Sequence, residues 1–377
     1  LKDQYLLDPD VVFLNHGSFG ACPRPVFAAY QKWQRKLEQQ PVQFLSQDIY
    51  THLEKARTDL GNFIGCDAND LFFVQNPTTA INTVIRSLDF ERDCEVLSSN
   101  HEYGALVRAW NWFHKEKGYR FVQRDMPLPV FSHQEFADYF CEGITDRTRF
   151  IFLSHITSAT GLIFPVDEIC KRARTNGILS IIDGAHVPGH IPLNIKEMDP
   201  DIYTGACHKW LSAPKGSTFL YVKKEIQEKI KPLVVSWGND VDPSRSTFLY
   251  NNQYQGTTDP SAYLAVSEAI KFQTENKWES IKKRCIELTR TTRDRVLNVL
   301  GTPEICPKTD EWLGQMASVL IPHKDVDQIE EDLLFQFHIV IPVFEWQDQN
   351  FLRFSFNAYN DDSDADKLVS ALKKLIP

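Results

Sequence analysis

The sequence predicts an α/β architecture: a mostly parallel sheet with helices on both faces, followed by a smaller α+β unit. Three observations carry this. Seven short apolar runs bounded by turn residues recur through the first two thirds of the chain. Segments of helical periodicity separate them, which requires crossover connections and hence parallel neighbours. After Lys231 the alternation gives way to long helices and a second set of strands.

Taken in order, the runs "VVFLN", "LFFVQN", "CEVLSSN", "RFIFLSHI", "ILSIID", "DIYTGA" and "STFLYV" read as strands, because each is apolar, mostly rich in β-branched or aromatic residues, and closed by turn formers. Helices are expected between them at 48–64, 78–88, 103–117 and 166–177. Beyond Lys231, a Trp-Gly-Asn-Asp loop and the turn-rich "NNQYQGTTDPSA" lead into helices near 260–275 and 277–300. The strands "MASVLIP", "HIVIPVF" and "FLRFSF" follow, with helices near 325–337 and 363–375. The implied division is an N-terminal segment over 1–25, a large domain over 26–250 and a small C-terminal domain over 251–377.

Bulk properties narrow the function classes. With 377 residues, 42% hydrophobic and 24% charged, the chain can bury a large core. A formal charge of -9 and a pI near 5.7 argue against nucleic acid as a partner. No apolar run reaches the ~20 residues of a membrane span, so no membrane partner is expected. The opening "LKDQYLLDPD" lacks signal-peptide order, although the start at Leu1 leaves a removed leader open. Eight dispersed cysteines without a CxxC pattern fit core packing in a reducing, cytoplasmic setting.

Open α/β sheets bind ligands at the carboxyl ends of their strands, and four such ends carry chemistry. In "QNPTTAINTVIRSL", Thr78 and Thr79 can cap a helix whose free N–H groups suit a phosphate. In "LSSNHEYGAL", His101, Glu102 and Tyr103 reach the sheet edge, where an aromatic ring can lie on a heterocycle. In "SIIDGAHVPGHI", Asp183 ends a buried run and requires a cation or several donors; His186 and His190 have metal-ligand spacing, but Val-Pro-Gly between them breaks the helix such a site needs. In "GACHKWLSAPKG", Lys209 follows His208 at the mouth of an apolar segment, where desolvation favours the neutral, nucleophilic amine. A phosphate cradle, an aromatic lid, a buried carboxylate and this lysine together point to pyridoxal phosphate, with Asp183 keeping the ring nitrogen protonated.

The ordered series "NPTTA", "NHEYGA", "ITSATG", "DGAH", "HKW" and "LRFSFNAYN" resembles class V aminotransferase-fold enzymes of pyridoxal-phosphate fold type I. "LNHGSFGACP" with "NHEYGA" and "HKWL" is most similar to the isopenicillin N epimerase-like branch, which includes cysteine-type C–S lyases. The resemblance implies that Lys209 carries the cofactor, Asp183 pairs with its ring nitrogen and His186 faces its phenolic oxygen. Thr78, Thr79 and His208 correspond to phosphate ligands, and Thr257 to a residue reaching the phosphate of a neighbouring subunit, which implies a homodimer with shared sites. Arg353 corresponds to the clamp on a substrate α-carboxylate, with Asn15 as a second contact, and Thr157 to a contact with ring or substrate. His101 and Tyr103 both remain candidates for the stacking ring, Tyr103 being preferred. Ala206 and Cys207 replace small polar residues of many relatives, so further phosphate contacts fall to groups such as Thr204.

The freed amine of Lys209 is then a general base for the Cα proton of an amino-acid substrate. The interval "HIVIPVFEWQDQNFLRFSF" contains no cysteine, which disfavours persulfide chemistry. A C–S β-lyase acting on cysteine or a cysteine conjugate needs only this base and one proton donor, Tyr103 or His16. Epimerisation needs a second acid/base on the opposite face, for which Tyr103, His101 or His16 are available; transamination is a further alternative. Retention of Lys209, Asp183 and Arg353 argues against a non-enzymatic binding module, and no GxGxxG follows a strand, which argues against a nucleotide-dependent oxidoreductase.

Overall fold

The structure, a computed structural model, describes residues 1–130, 132–240, 247–322 and 325–376. Its strands are β1 Val12–Phe13, β2 Leu71–Val74, β3 Glu95–Ser99, β4 Arg120–Arg124, β5 Thr148–Ser154, β6 Leu179–Asp183, β7 Ile202–Ala206, β8 Thr218–Val222, β9 Met316–Leu320, β10 Ile339–Val340, β11 Val343–Trp346 and β12 Gln349–Ser355. The main sheet has seven strands in the order β2-β8-β7-β6-β5-β3-β4. The five from β7 to β4 are mutually parallel, while β8 runs antiparallel to both β7 and β2. Every residue of β2, β3, β7 and β8 is buried, as both faces of such a sheet require helix cover.

Two departures from the sequence expectation exchange one strand of the main sheet for another. "VVFLN" forms only the two-residue β1, which pairs in parallel with β10 and ties the N-terminal segment to the C-terminal part of the chain. The seventh main-sheet strand is instead "RFVQR", the edge strand β4, whose residues are half-buried or exposed. An edge strand with one covered side needs no continuous apolar run, so its charge-flanked sequence hides it. Likewise "HIVIPVF" is cut by Pro342 into β10 and β11, the second pairing with β12, which in turn pairs with β9 in a separate three-stranded antiparallel sheet.

Helix positions follow the periodic pattern closely, with Ile49–Ile64, Pro77–Ser87, Gly104–Lys117, Val166–Thr175, Trp278–Leu300, Val326–Phe337 and Asp362–Leu375. The additional helix Arg24–Gln39 was not apparent because it buries little beyond Val26 and Leu37. Among the described residues no helix is long and apolar enough to cross a membrane.

Candidate active site

The parallel strands β3, β5, β6 and β7 deliver their C-terminal residues to one edge of the main sheet. Asp183 is the last residue of β6, opposite Ser154 of β5 and Thr204 of β7. It is buried, and its Oδ1 accepts the Ala185 N–H at 3.0 Å. Burial pushes its pKa up to about 6, against the lowering effects of that N–H and of Lys209.

Lys209 lies in the loop that turns the chain back from β7 into the antiparallel β8. The Ala206 carbonyl accepts from Lys209 N, and the Lys209 carbonyl accepts from Ser212 N at 3.0 Å. The side chain is partly exposed along its length, but its amine lies in the packed interior. Desolvation there lowers its pKa to about 8, opposed by Asp183 and reinforced by Arg353. Its Nζ is 3.1 Å from His186 Nε2, and His186 Nδ1 accepts the Trp210 indole N–H at 3.2 Å.

Arg353 projects from β12, where it is opposite Ser318. Its guanidinium is buried and donates to the Ser158 carbonyl and, at 2.8 Å, to Ser18 Oγ. Ser18 Oγ donates in turn to Asn15 Oδ1 at 2.6 Å, so Asn15 and Arg353 share one hydroxyl. Burial lowers the arginine pKa to about 10. Asp183, Lys209 and Arg353 are thus three ionisable groups without an opposite charge at salt-bridge distance among the described residues.

At the phosphate end the helix begins at Pro77, and its cap is Asn76 rather than a threonine. Asn76 Oδ1 accepts from Thr79 N at 2.8 Å and from Thr79 Oγ1 at 3.1 Å. Thr78 and Thr79 stand half-buried in that first turn, where helix N–H groups favour an anion. His208 Nδ1 is 2.9 Å from the Ser217 carbonyl, and burial lowers its pKa to about 4. Thr204 donates its hydroxyl to the Phe219 carbonyl inside the sheet, which removes it as a phosphate contact. Thr257 is exposed at the protein surface.

The two ring candidates at the end of β3 have different surroundings. His101 is fully buried, its Nδ1 3.0 Å from Thr160 Oγ1 and its Nε2 3.2 Å from the Met126 carbonyl, with its ring against Trp346. Tyr103 is 47% exposed and lines a cavity of about 600 Å³ with Arg108, Ser158, Phe344, Trp346 and Arg353. Tyr103 is therefore the ring with a free face. Thr157 is buried, its hydroxyl shared with Thr160 Oγ1 at 2.7 Å and with Leu162 N at 3.0 Å. His16 sits behind the lysine, its Nδ1 2.9 Å from Tyr359 Oη and its Nε2 3.0 Å from the Lys209 carbonyl; burial lowers its pKa to about 3.

Other neighbours shape the site without a role assigned to them from sequence. Glu102 turns its carboxyl inward to accept from Ser99 Oγ and Ser154 Oγ, both at 2.6 Å, and burial raises its pKa to about 8. Ser18 and Ser158 hold Arg353, and Trp210 holds His186. Trp210 adjoins the lysine within the "HKW" motif, and no local feature shows that it donates to His186.

The unpaired groups test the fit of pyridoxal phosphate. A carboxylate buried without a cation suits a pyridinium N–H, and an enclosed amine of lowered pKa suits an aldehyde. A helix N-terminus with two threonines suits a phosphate, and a free aromatic face suits the ring. The residues present fit the group.

Comparison with known proteins gives the same picture. Residues 12–368 match the family model described as Aminotransferase class-V. The chain is 34% identical to isopenicillin N epimerase of Amycolatopsis lactamdurans, over 99% of this chain and 97% of that protein. It is 25% identical to hercynylcysteine sulfoxide lyase of Schizosaccharomyces pombe, over 99% and 96% respectively. Among solved structures, the apo cysteine desulfurase of Thermococcus onnurineus NA1 superposes with a TM-score of 0.86 at 19% identity, covering 100% of this chain and 97% of that one.

Proposed function

The chain belongs to the class V aminotransferase family, whose cofactor is pyridoxal 5′-phosphate, and from that premise we propose that it is a C–S β-lyase releasing a thiol from cysteine or a cysteine conjugate. That it is a pyridoxal-phosphate-dependent enzyme follows from the family; the bond it breaks is our reading. The observation that carries this reading is the supply of proton-transfer groups. Lys209 offers one buried amine of lowered pKa, whereas His16 and His101 have both ring nitrogens engaged. One base and one free hydroxyl, that of Tyr103, are sufficient for elimination; epimerisation would have to use that same hydroxyl on Cα, since His16 and His101 are engaged.

When bound, the cofactor supplies an aldehyde for amino groups and a ring that draws electrons from Cα. Lys209 would anchor it and, once freed by substrate, remove the Cα proton. Asp183 would hold the proton on the ring nitrogen, and His186 would donate to the phenolic oxygen. Thr78, Thr79 and His208 would bind the phosphate, completed by Thr257 of a second copy in a homodimer. Arg353 and Asn15 would hold the α-carboxylate, a planar, bidentate task suited to a guanidinium. Tyr103 would cover the ring and protonate the departing sulfur.

Epimerisation remains as a second reading because the 34% identical relative is an isopenicillin N epimerase. The deciding experiment incubates the holoenzyme with L-cysteine and S-substituted cysteines. Pyruvate and ammonia are expected, with sulfide from L-cysteine and a free thiol from the S-substituted cysteines. Recovery of the substrate unaltered except for a D-configured centre would replace the lyase by an epimerase.

A further inference from the structure

We propose that Trp210 is a positioning residue that locks His186 as its Nε2–H tautomer and thereby selects the neutral form of the Lys209 amine. An indole nitrogen can only donate. With Trp210 Nε1 at 3.2 Å, His186 Nδ1 must therefore present its lone pair, and a neutral imidazole in that state carries its hydrogen on Nε2. Nε2 lies 3.1 Å from Lys209 Nζ. An ammonium there would oppose donor to donor, because it has no lone pair; a neutral amine accepts the hydrogen bond.

The lock is itself held in place. Trp210 is 1% exposed and stacks on His190 with ring centroids 3.8 Å apart, and its carbonyl accepts from Gln273 at 2.9 Å. The Gln315 backbone N–H donates to His190 Nε2 at 2.7 Å, which leaves His190 Nδ1 to donate to the His186 carbonyl at 3.0 Å. The same pair of residues thus fixes the ring and the backbone of His186. Of the charges acting on the amine, Asp183 favours the ammonium and Arg353 the neutral form. The His186 ring is also disfavoured as a cation by burial, Lys209, Arg353, His190 and His16. The tautomer adds a directional preference to these opposing charges. It also leaves Nε2–H as the donor available to a phenolic oxygen. The inference rests on the cofactor class and not on the lyase reading.

The test uses no amino-acid substrate, so its outcome is separate from that of the lyase reading. Nitrogen-15 histidine NMR of the holoenzyme should place the His186 hydrogen on Nε2, with Nδ1 bare, from about pH 6 to about pH 9. In W210F, which keeps an aromatic ring but lacks the donor, Nδ1–H should appear. The pH at which the cofactor-free W210F protein captures pyridoxal phosphate, followed by visible absorbance, should move up by about one unit, or about tenfold slower capture at neutral pH. An Nδ1–H or imidazolium His186 in the wild type would overturn the proposal, as would coincident capture profiles. Should W210F not fold, the wild-type spectrum alone decides.

Discussion

Replacing Glu102 by Gln should stabilise the cofactor-free protein by an amount that grows with pH. Glu102 borders the cavity but its carboxyl is buried, accepts two serine hydroxyls at 2.6 Å, and has no cation at salt-bridge distance among the described residues. Burial, reinforced by the charge of Asp183, raises its pKa from 4.5 to about 8. The unfolded chain loses this proton near pH 4.5, and the folded chain holds it until about pH 8. Between those values the folded state binds the extra proton, so stability falls as pH rises. At about 1.4 kcal/mol per pH unit across that window, the loss approaches a ceiling of about 5 kcal/mol at pH 8. Gln has no proton to lose, and its amide can hydrogen-bond to both serines. Urea unfolding of wild type and E102Q should give similar stabilities near pH 4.5 and a gap in favour of E102Q that widens by at least about 1 kcal/mol by pH 8. A gap independent of pH would mean that the folded state carries the ionised carboxylate without penalty, and the reasoning fails.

Capture of pyridoxal phosphate by Lys209 should accelerate with rising pH and level off above about pH 8, where the amine is neutral. D183N removes the carboxylate that favours the ammonium and should move that plateau to lower pH; an unmoved plateau would uncouple the two groups. R353K should raise KM for the amino acid about 30-fold with kcat little changed, from loss of a charge-assisted hydrogen bond of about 2 kcal/mol; steady-state kinetics check this. N76A removes the cap on the helix Pro77–Ser87 and should lower stability by about 1 kcal/mol, while cofactor loss on dialysis quickens.

The parts of this protein legible in sequence are those with a local signature. Buried strands announce themselves as apolar runs, and the residue that ends each run stands where the sheet presents ligands. Asp183, Lys209 and the turn before Thr78 were found in that way. Residues whose meaning lies in a partner far along the chain were not legible. Nothing local in "LNHGSFG" shows that His16 would use one nitrogen on Tyr359 and the other on the Lys209 carbonyl. Nothing in "NHEYGA" shows which of His101 and Tyr103 is closed in, since Thr160, Met126 and Trp346 decide that. The cap is Asn76 and not Thr78 or Thr79 because all three are competent caps and only the backbone selects among them.

The same contrast explains how the site can hold unpaired charges at all. A buried ion without a partner is destabilising by several kcal/mol in general, and this site buries Asp183, Lys209 and Arg353 among histidines. Burial keeps those histidines neutral: His16, His101 and His190 have pKa values lowered to about 3 or 4, and that of His186 is lowered well below its usual value. A charged His186 would add a desolvated cation beside Lys209 and Arg353. Neutral imidazoles act instead as donors and acceptors that fix loop and lysine while leaving the carboxylate uncommitted. A buried carboxylate and an enclosed amine of lowered pKa are therefore complementary to a ring N–H and an aldehyde.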